Sequence, residues 1–370
     1  MRALGIVLAG GSSRRMKELS ENRAVTAMPV AGSYRCIDFV LSSMTNSGID
    51  KVGVLAQYNS RSLQNHLASA KWWNFGRKRG GLYMLTPILT SSNSFWYRGT
   101  ADSIYRNIDW LKESHEPYVV IASGDGVYKV DYNKVLEYHI AKGADITVVC
   151  TEAPADPKGY GVVCTNKDGR ITEFEEKPLE AASNTISCGI YVIRRRLLIE
   201  LLEECAYDDK YDFVNDIIIR GKRIRKVYAY PLTGYWGAIS SIEDYYRVNM
   251  DFLKMDVRKF FFGDEPAIYS KVSDNPPAKY NQNCFVKNSL ISNGCIINGT
   301  VEDSVLFKNV YVGENCVIKN CIILNDIMIG DNTRLENCII DSHSTVLANT
   351  EFKGEPGNRV LKAKNNRYDL

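Results

Sequence analysis

Apolar runs alternate with helix-like segments over the N-terminal two thirds of the chain. Four continuous apolar runs are typical of buried parallel strands; they lie at 4–9, 51–57, 118–125 and 144–152. Segments with apolar residues at helical spacing separate them; they lie at 35–49, 60–73, 100–114 and 132–143. Strands that alternate with helices predict an α/β fold, in which helices cover both faces of a mainly parallel sheet.

A different pattern begins at residue 281, where apolar residues recur every six positions. The residues in register are Val305, Tyr311, Val317, Ile323, Ile329 and Leu335. Asp341 breaks the register and Leu347 resumes it. The predicted turn residues, besides Asn and Asp, are Gly294, Gly299, Gly313 and Gly330. A six-residue period is typical of one side of a triangular coil, so the segment predicts a parallel β-helix, with a plain antiparallel sheet as the alternative.

A Pro-Pro pair separates the two patterns, in the polar segment YSKVSDNPPAKY. Such a segment is typical of a linker. We therefore predict an α/β domain at 1–255, a linker at 256–280 and a β-helix domain at 281–370.

Two of the predicted strands end in residues suited to ligand binding. Gly10 and Gly11 follow the first run, and Asp125 follows the third. Ligands of open α/β sheets bind at the carboxyl ends of the strands. The Gly-Gly pair could cradle a phosphate or make a tight turn, and Asp125 could bind a metal ion or cap the next turn.

Composition excludes several classes of protein. The net charge is +3 over 370 residues, which is too small to indicate a nucleic-acid or membrane partner. The ten cysteines contain no C-x-x-C pair and the four histidines have no ligand spacing, so we expect reduced core thiols and no zinc site. No apolar run approaches the roughly 20 residues of a membrane helix or the form of a signal peptide. A cytoplasmic location is expected.

The chain carries, in order, the motifs LAGGSSR, SGD, FEEKP and GYW, followed by the segment with the six-residue period. In this order of motifs it resembles the ADP-glucose pyrophosphorylase (glucose-1-phosphate adenylyltransferase) family over nearly its whole length. The most specific stretches are YRCIDFVLSSMTNSGI, SFWYRGTADSIYRN and IEDYYRVNMDFL. The resemblance implies a Rossmann-like nucleotidyltransferase domain of the GT-A-like kind, followed by a left-handed parallel β-helix.

The resemblance also implies that the first loop binds the phosphates of ATP through Gly10, Gly11 and Arg15. Two substitutions depart from the family pattern. Ser13 replaces the third glycine of the motif G-G-x-G-T-R-L, where a positive φ would strain a serine. Val25 replaces the lysine of the motif R-A-K-P-A and cannot offset phosphate charge.

Other family positions near the nucleotide are matched by Gln57, Gly99 and Thr100. Trp96 and Tyr97 lie in the same matching stretch, although they could equally be ordinary core aromatics.

A third departure concerns the metal ion. The family holds Mg²⁺ with two aspartates; Asp125 matches the first, whereas Ala238 occupies the position of the second. Since Mg²⁺ is usually held by one or two carboxylates, we expect binding that is weak or absent. Glu243 and Asp244 could compensate only if their loop folded back. Any residual catalysis would rest on Arg15 and Asp125.

The sugar-phosphate side matches the family better. Glu176 and Lys177 correspond to its E-K-P pair, Ser187 to its S-x-G-I-Y motif and Gly161 to its glycine over the sugar. The alternative for Glu176 and Lys177 is a strand-end salt bridge.

Within the family the chain is most similar to the GlgD-type subunit, the non-catalytic or weakly active partner in bacterial glycogen synthesis. We therefore expect an allosteric, regulatory subunit in a heterotetramer with a catalytic homologue, with ATP, glucose 1-phosphate or a sugar-phosphate effector as ligands. The alternatives are a competent pyrophosphorylase for ADP-glucose or another NDP-sugar with an altered Mg²⁺ site, and a self-standing sensor.

Overall fold

The computed structural model describes residues 2–11, 14–76, 80–88, 96–154 and 156–361. Contacts divide the chain into two compact units. The first unit comprises 1–11 and 39–237, and the second comprises 12–38 and 238–370. The N-terminal segment 12–38 therefore belongs to the second unit. The two units do not coincide with the predicted domains, whose limits at 255 and 281 stay a prediction. No helix within the described ranges is long and apolar enough to cross a membrane.

The first unit is built on a sheet to which the described residues contribute nine strands. The strands of this unit are β1 (Ala3–Leu8), β2 (Lys51–Leu55), β3 (Gly81–Leu85), β4 (Tyr118–Ser123), β5 (Gly126–Tyr128), β6 (Ile146–Glu152), β7 (Gly161–Thr165), β8 (Ile171–Glu176), β9 (Thr185–Arg194), β10 (Val227–Pro231) and β11 (Trp236–Ala238). The sheet order is β8-β7-β9-β4-β1-β2-β3, with β6 beside β9 and β10 beside β6. β5 and β11 form a separate two-stranded sheet.

The sheet is mixed and mainly parallel, as predicted. Parallel pairing joins β4, β1, β2 and β3, and also β6 and β10. β9 runs antiparallel to β4, β6 and β7, and β8 runs antiparallel to β7. The four predicted apolar runs form β1, β2, β4 and β6, whereas the sequence pattern did not indicate β7 to β9.

Eight α-helices are formed by the described residues. They are α1 (Cys36–Asn46), α2 (Arg61–Leu67), α3 (Thr100–Tyr105), α4 (Ile108–Lys112), α5 (Tyr132–Ala141), α6 (Arg195–Tyr207), α7 (Ile242–Asp251) and α8 (Met255–Arg258). The single helix predicted over 100–114 is two helices. Asn107 between them has a non-helical backbone, and its side-chain amide donates to the Ser103 carbonyl at 2.8 Å and to the Tyr97 hydroxyl at 3.0 Å. Asparagine side chains compete in this way with helical hydrogen bonds.

A buried histidine lies between α5 and the sheet. His139 is 1% exposed, and its Nδ1 is 2.9 Å from the Thr147 hydroxyl. Its Nε2 is buried without a hydrogen-bond partner among the described residues. Burial, with the nearby Arg194 guanidinium, lowers the pKa of His139 to about 4, although Asp145 acts in the opposite direction. The folded protein therefore holds this histidine neutral.

We expect His139 to make the protein less stable as the pH falls. The unfolded chain binds a proton at the usual histidine pKa near 6.5, whereas the folded chain binds it only near 4. Stability is therefore complete above pH 6.5 and declines between pH 6.5 and 4, by about 3 kcal/mol at most. Urea unfolding at several pH values checks this, with His139→Gln as the matched variant. Equal pH slopes for the two proteins would contradict the prediction.

The second unit contains a left-handed parallel β-helix, as predicted. Its three sheets each hold five strands from successive coils of the described chain. The first sheet comprises Lys279–Tyr280, Ile296–Ile297, Tyr311–Val312, Met328–Ile329 and Thr345–Val346. The second comprises Phe285–Lys287, Thr300–Glu302, Val317–Lys319, Arg334–Glu336 and Glu351–Lys353. The third comprises Leu290–Ile291, Val305–Leu306, Ile322–Ile323, Ile339–Ile340 and Val360–Leu361.

The period of the β-helix is not a strict six. Most coils contain 17 residues, because Tyr311 pairs with Met328 and Val317 pairs with Arg334. The side chains buried in the core follow spacings of six, five, six, six, five and six; they are Val312, Ile318, Ile323, Ile329, Leu335, Ile340 and Val346. The predicted register was therefore wrong at three positions: Tyr311 and Val317 are only half-buried, and Leu347 is 67% exposed.

The corners of the coils explain this spacing. Each corner has a residue with a positive φ. In chain order these residues are Asp303, Asn309, Asn315, Asn320, Asp326, Asn332, Asn337, His343 and Asn349. Asn and Asp tolerate this left-handed conformation better than other side chains. Their amides also stack between coils, since Asn315 donates to Asn332 at 3.2 Å. Of the four glycines predicted to make turns, only Gly294 has a positive φ; a Cβ on Gly330 would lie 2.5 Å from the Ala348 nitrogen, so this glycine serves close stacking.

The third sheet is covered by other parts of the second unit. Both residues of its central strands Ile322–Ile323 and Ile339–Ile340 are fully buried. The hydroxyl of Tyr246 on α7 donates to the Asn320 carbonyl at 2.8 Å. The predicted linker 256–280 is partly helical, since it holds most of α8 and the turn Lys259–Gly263.

Candidate functional site

Three predicted site residues lie at the carboxyl ends of adjacent parallel strands in the first unit. Gly10 follows β1, Gln57 follows β2 and Asp125 follows β4. The Gly124 amide donates to the Leu8 carbonyl at 3.0 Å, and a Cβ on Gly10 would lie 3.5 Å from the Gln57 Cβ. The fold thus brings these three positions together at the edge where open α/β sheets bind ligands.

Gln57 holds the next segment of the chain by both ends of its amide. Its Oε1 accepts from the Tyr97 backbone amide at 2.6 Å, and its Nε2 donates to the Tyr97 carbonyl at 3.3 Å. Tyr97 is 8% exposed, whereas Trp96 is 62% exposed and stacks on Tyr58 with 6.0 Å between ring centroids. Of the two aromatics, Tyr97 is therefore the core residue and Trp96 is available at the surface.

Gly99 and Thr100 pack against another segment of the chain, at Tyr211 and Phe213. A Cβ on Gly99 would lie 2.3 Å from the Tyr211 carbonyl oxygen, so only glycine fits. The Thr100 hydroxyl accepts from the Phe213 amide at 2.8 Å. Both residues secure the start of α3, and a nucleotide-binding role for them stays a prediction.

Asp125 is half-buried, and its Oδ1 accepts from the Ser123 hydroxyl at 2.5 Å. Gly189, two residues after Ser187, lies against Ser123. The backbone of Gly189 has a positive φ of 69°. This arrangement fixes the carboxylate at the strand end.

The remaining nucleotide-side positions belong to the second unit. Arg15 is exposed in the 3₁₀-helical segment Arg14–Ser20, which a kink at Lys17 interrupts, and it has no ion-pair partner among the described residues. Val25 is 6% exposed and Ala238 is 9% exposed. Ser13 lies outside the described residues.

The metal positions implied by the family resemblance keep only part of their donor atoms in this chain. Nowhere in the described ranges do three or more His, Cys, Asp or Glu side chains converge to hold a metal ion. Ala238 offers no ligand atom. The donor set that remains at these positions is the single carboxylate of Asp125.

Glu243 and Asp244 do not replace the missing aspartate, because other groups of the second unit already bind them. Glu243 accepts from the Gly357 amide at 2.7 Å and from the Arg359 guanidinium at 2.8 Å. Asp244 accepts from the Ser241 hydroxyl at 2.9 Å and pairs with Arg247 at 3.1 Å. Their loop does not fold back to offer a free carboxylate.

The predicted sugar-phosphate residues form a cluster in the first unit. Gly161 pairs directly with Glu176 across β7 and β8, and a Cβ on Gly161 would lie 2.9 Å from the Glu176 carboxylate. The Lys177 ammonium is 3.2 Å from the Glu176 carboxylate, so the strand-end salt bridge, the alternative to sugar-phosphate binding, is present. Lys177 is half exposed, so this pair contributes little stability and both groups can turn to a ligand. Its backbone is left-handed, with φ of 50°, and its amide donates to the Tyr160 carbonyl at 3.0 Å.

Ser187 belongs to the same cluster through Tyr191. Ser187 is 8% exposed on β9, and its hydroxyl is 3.5 Å from the Tyr191 hydroxyl. Burial raises the pKa of Tyr191, and the charge of Glu176 raises it further. Tyr191 therefore stays protonated and can donate a hydrogen bond.

Two members of this cluster escaped the sequence prediction. Tyr191 is the last residue of the matching motif ISCGIY, and Trp236 is the last residue of GYW, so both motifs carried a signal. The Trp236 ring packs edge-on against Tyr160 at 5.5 Å. Its indole N–H is buried without a partner among the described residues, as are those of Trp73 and Trp110.

If this cluster binds glucose 1-phosphate, as the resemblance implies, Gly161→Ala should weaken that binding by about tenfold or more. The added Cβ would meet the Phe174 ring at 2.6 Å as well as Glu176, so the carboxylate must leave its position. Titration calorimetry checks this. The control is Gly221→Ala, whose Cβ makes only ordinary contacts with Arg225 at 3.5 Å or more. Equal affinity for both variants would contradict the assignment of this cluster.

Comparison with known proteins defines the class first. A model of the nucleotidyl transferase family matches residues 4–255, and a model of the GlmU-like C-terminal hexapeptide matches residues 276–356. The chain is thus a nucleotidyl transferase by family, followed by a hexapeptide β-helix.

The relatives define the family more closely. The chain is 41% identical to the glucose-1-phosphate adenylyltransferase of Thermosipho africanus (strain TCF52B), over 85% of this chain and 77% of that protein. It is 38% identical to that of Geobacillus stearothermophilus, over 85% and 83%, and 37% identical to that of Bacillus thuringiensis (strain Al Hakam), over 96% and 95%. The chain belongs to the glucose-1-phosphate adenylyltransferase family, a nucleotidyltransferase family that generally uses Mg²⁺.

Proposed function

We propose that this chain is a non-catalytic or weakly active regulatory subunit of glucose-1-phosphate adenylyltransferase in glycogen biosynthesis. It assembles with a catalytic homologue that makes ADP-glucose and pyrophosphate from ATP and glucose 1-phosphate, and it changes that partner's rate or effector response. The hetero-oligomer, a heterotetramer, is cytoplasmic.

The proposal rests on the position of three substitutions, which all fall at the triphosphate and metal end of the family's reaction site. Ser13, Val25 and Ala238 replace the groups that the family uses for the triphosphate and the metal ion. The nearest spare carboxylates, on Glu243 and Asp244, are already engaged.

The sugar-phosphate cluster and the fold are intact by contrast. Glu176, Lys177, Ser187 and Tyr191 supply a carboxylate, an ammonium and two hydroxyls for a sugar phosphate. These groups bind and orient a sugar phosphate but cannot polarise a triphosphate. A chain that keeps its packing and this cluster, while losing one end of the reaction site, is suited to binding a ligand and a partner.

A mixing experiment tests the proposal. The purified chain alone is expected to turn over far below the median enzyme rate of about 10 s⁻¹. Mixed with the catalytic homologue of the same cell, it is expected to form a complex on size-exclusion chromatography and to change that partner's rate or its effector response. The proposal would be contradicted if the mixture showed neither a complex nor a change in the partner's rate or effector response.

One variant separates regulation from residual chemistry. Asp125→Asn removes the one carboxylate left at the metal position, so it should abolish any catalysis by this chain itself. If the chain acts as a regulator, the variant changes the partner's rate as the wild type does.

The second candidate is a competent pyrophosphorylase with an altered Mg²⁺ site. Asp125 at the strand end and the exposed cation of Arg15 favour it. A turnover near 10 s⁻¹ for the isolated chain, lost in Asp125→Asn, would establish it instead.

A further inference from the structure

Two buried thiols of the β-helix face each other across neighbouring coils. The sulfur atoms of Cys321 and Cys338 are 3.4 Å apart. Each residue immediately precedes a strand of the third sheet, and the strands Ile322–Ile323 and Ile339–Ile340 pair in parallel. The two cysteines therefore stack directly, one coil apart. The ten cysteines are free thiols, and within the described ranges this is the one sulfur–sulfur contact at such a distance.

The backbone at this corner suits a disulfide. Paired strands lie about 4.8 Å apart, which falls in the Cα–Cα range of about 4.4–6.8 Å for disulfides. The sulfurs need to approach from 3.4 Å to about 2.05 Å, which rotation of the side chains can supply.

The side-chain geometry at this corner is repeated by serines in the preceding coils. Ser289, Ser304 and Cys321 each donate to the carbonyl two residues earlier, at 2.8, 2.6 and 3.1 Å. The Ser304 hydroxyl also accepts from the Cys321 amide at 3.0 Å. Serine is thus a native occupant of this column, so a Cys→Ser change removes the thiol while keeping the local hydrogen bond.

A cluster of side chains from the second unit lies beside the pair. Both cysteines are fully buried. Tyr246 donates to the carbonyl of Asn320, the residue before Cys321. The Arg359 guanidinium lies 4.2 Å from the centre of the Tyr246 ring and pairs with Glu243. The contact with Cys321 and burial raise the pKa of Cys338, so this thiol is neutral. Because both cysteines are buried, only a small, uncharged oxidant suits the pair.

We propose that Cys321 and Cys338 form a reversible disulfide when a hydroperoxide reaches them. One thiol gives up its proton as its sulfur attacks the peroxide. The O–O bond breaks, the leaving oxygen takes the proton, and a sulfenic acid and one water or alcohol result. The second sulfur then attacks the sulfenic sulfur, the S–S bond forms and water leaves. Two thiols are oxidised by two electrons and the peroxide is reduced by two. A dithiol reductant reverses the reaction.

The bond would lock one complete coil of the β-helix. It closes the loop from 321 to 338, which restricts the unfolded chain more than the folded one. Oxidation therefore changes the stability of the second unit without changing any residue of the first unit's ligand cluster.

Peptide mapping tests the proposal directly. Trypsin cleaves after Lys319, Arg334 and Lys353, which places the two cysteines on separate peptides, 320–334 and 335–353. After native full-length protein is treated with hydrogen peroxide and its remaining thiols are blocked, we expect these two peptides to be linked. We also expect the unfolding midpoint to rise by at least about 5 °C, and dithiothreitol to reverse both effects.

The variants make the outcome specific. Cys338→Ser removes the one cysteine of peptide 335–353, so the link cannot form, and the variant should leave a sulfenic acid on Cys321 that dimedone traps. Cys295→Ser should leave the yield unchanged, because its thiol instead donates to the Phe307 carbonyl at 2.9 Å. The proposal is overturned if the link is absent once the half-buried Cys164 is fully oxidised, or if the link forms only in urea together with random pairs.

Discussion

Restoring three side chains is expected to raise the turnover of the isolated chain by at least about 100-fold. The variant combines Ser13→Gly, Val25→Lys and Ala238→Asp, and the assay measures pyrophosphate release from ATP and glucose 1-phosphate with Mg²⁺. A hydrogen bond to a charged group is worth about 1.5–3 kcal/mol, and two charged groups are returned at once. Since each 1.36 kcal/mol is a factor of ten in rate, 100-fold is the lower bound.

The burial of two of these positions gives the experiment a second readout. Val25 is 6% exposed and Ala238 is 9% exposed, so a lysine and an aspartate placed there cost stability while no ligand compensates their charges. The variant should therefore unfold at a lower temperature than the wild type when no ligand is present. ATP with Mg²⁺ should recover part of that loss, because a ligand that binds only the folded state stabilises it.

A matched control keeps the fold and removes the remaining carboxylate. Adding Asp125→Asn to the triple variant should return turnover to the wild-type level. A triple variant that unfolds cooperatively and binds ATP but shows no gain in rate would contradict the idea that only these three positions have decayed.

The strands of the parallel core were predictable because they are buried on both faces. Continuous apolar runs give β1, β2, β4 and β6, and their ends gave Gly10 and Asp125 correctly as neighbours at one edge of the sheet. The antiparallel strands β7 to β9 were not predicted, because β8 mixes polar and apolar residues and the pairing of all three is set by partners distant in sequence.

The β-helix shows how a correct fold can carry a wrong register. Hexads predicted the architecture, but each coil of 17 residues contains one pentad. The signal for it was present in the asparagines and aspartates, since the corner residues from Asp303 to Asn349 follow the spacing six, six, five. Polar corner residues therefore report the register better than apolar residues, which occupy both sides of a short strand.

The site was predictable in part. The motif FEEKP singled out Glu176 and Lys177, whose role stays a prediction. The sequence could not show that Gln57, Gly99 and Thr100 are occupied by hydrogen bonds or close contacts with the chain itself. Such occupation depends on tertiary contacts that leave no local pattern.

The assignment of residues 12–38 to the second unit was also invisible in the sequence. An ion pair between residues 318 positions apart helps to fix it: the Arg23 guanidinium lies 2.6 Å from the Asp341 carboxylate. Asp341 is the residue that interrupts the predicted hexads. Its charge is tolerated at the edge of a buried sheet because Arg23 neutralises it.

Removing one partner of this pair is expected to destabilise the second unit by about 3–5 kcal/mol, the cost of an uncompensated buried charge. Both side chains are about 85% buried, so Arg23→Ala leaves the Asp341 carboxylate away from water without its cation. Hydrogen exchange of peptides from 320–353 in increasing urea measures the loss where it occurs. The control is Lys319→Ala, which breaks the exposed pair with Glu302 at 3.5 Å in the same β-helix and should cost less than about 1 kcal/mol.

A double variant decides whether the effect belongs to the charge or to the packing. Arg23→Met with Asp341→Leu replaces both charges by apolar groups, and a buried ion pair replaced in this way is often close to neutral in stability. We therefore expect the double variant to recover most of the stability that Arg23→Ala loses. If Arg23→Ala costs no more than Lys319→Ala, the pair does not hold the segment. If the double variant is as unstable as the single one, then shape rather than charge balance fixes residues 12–38 on the β-helix.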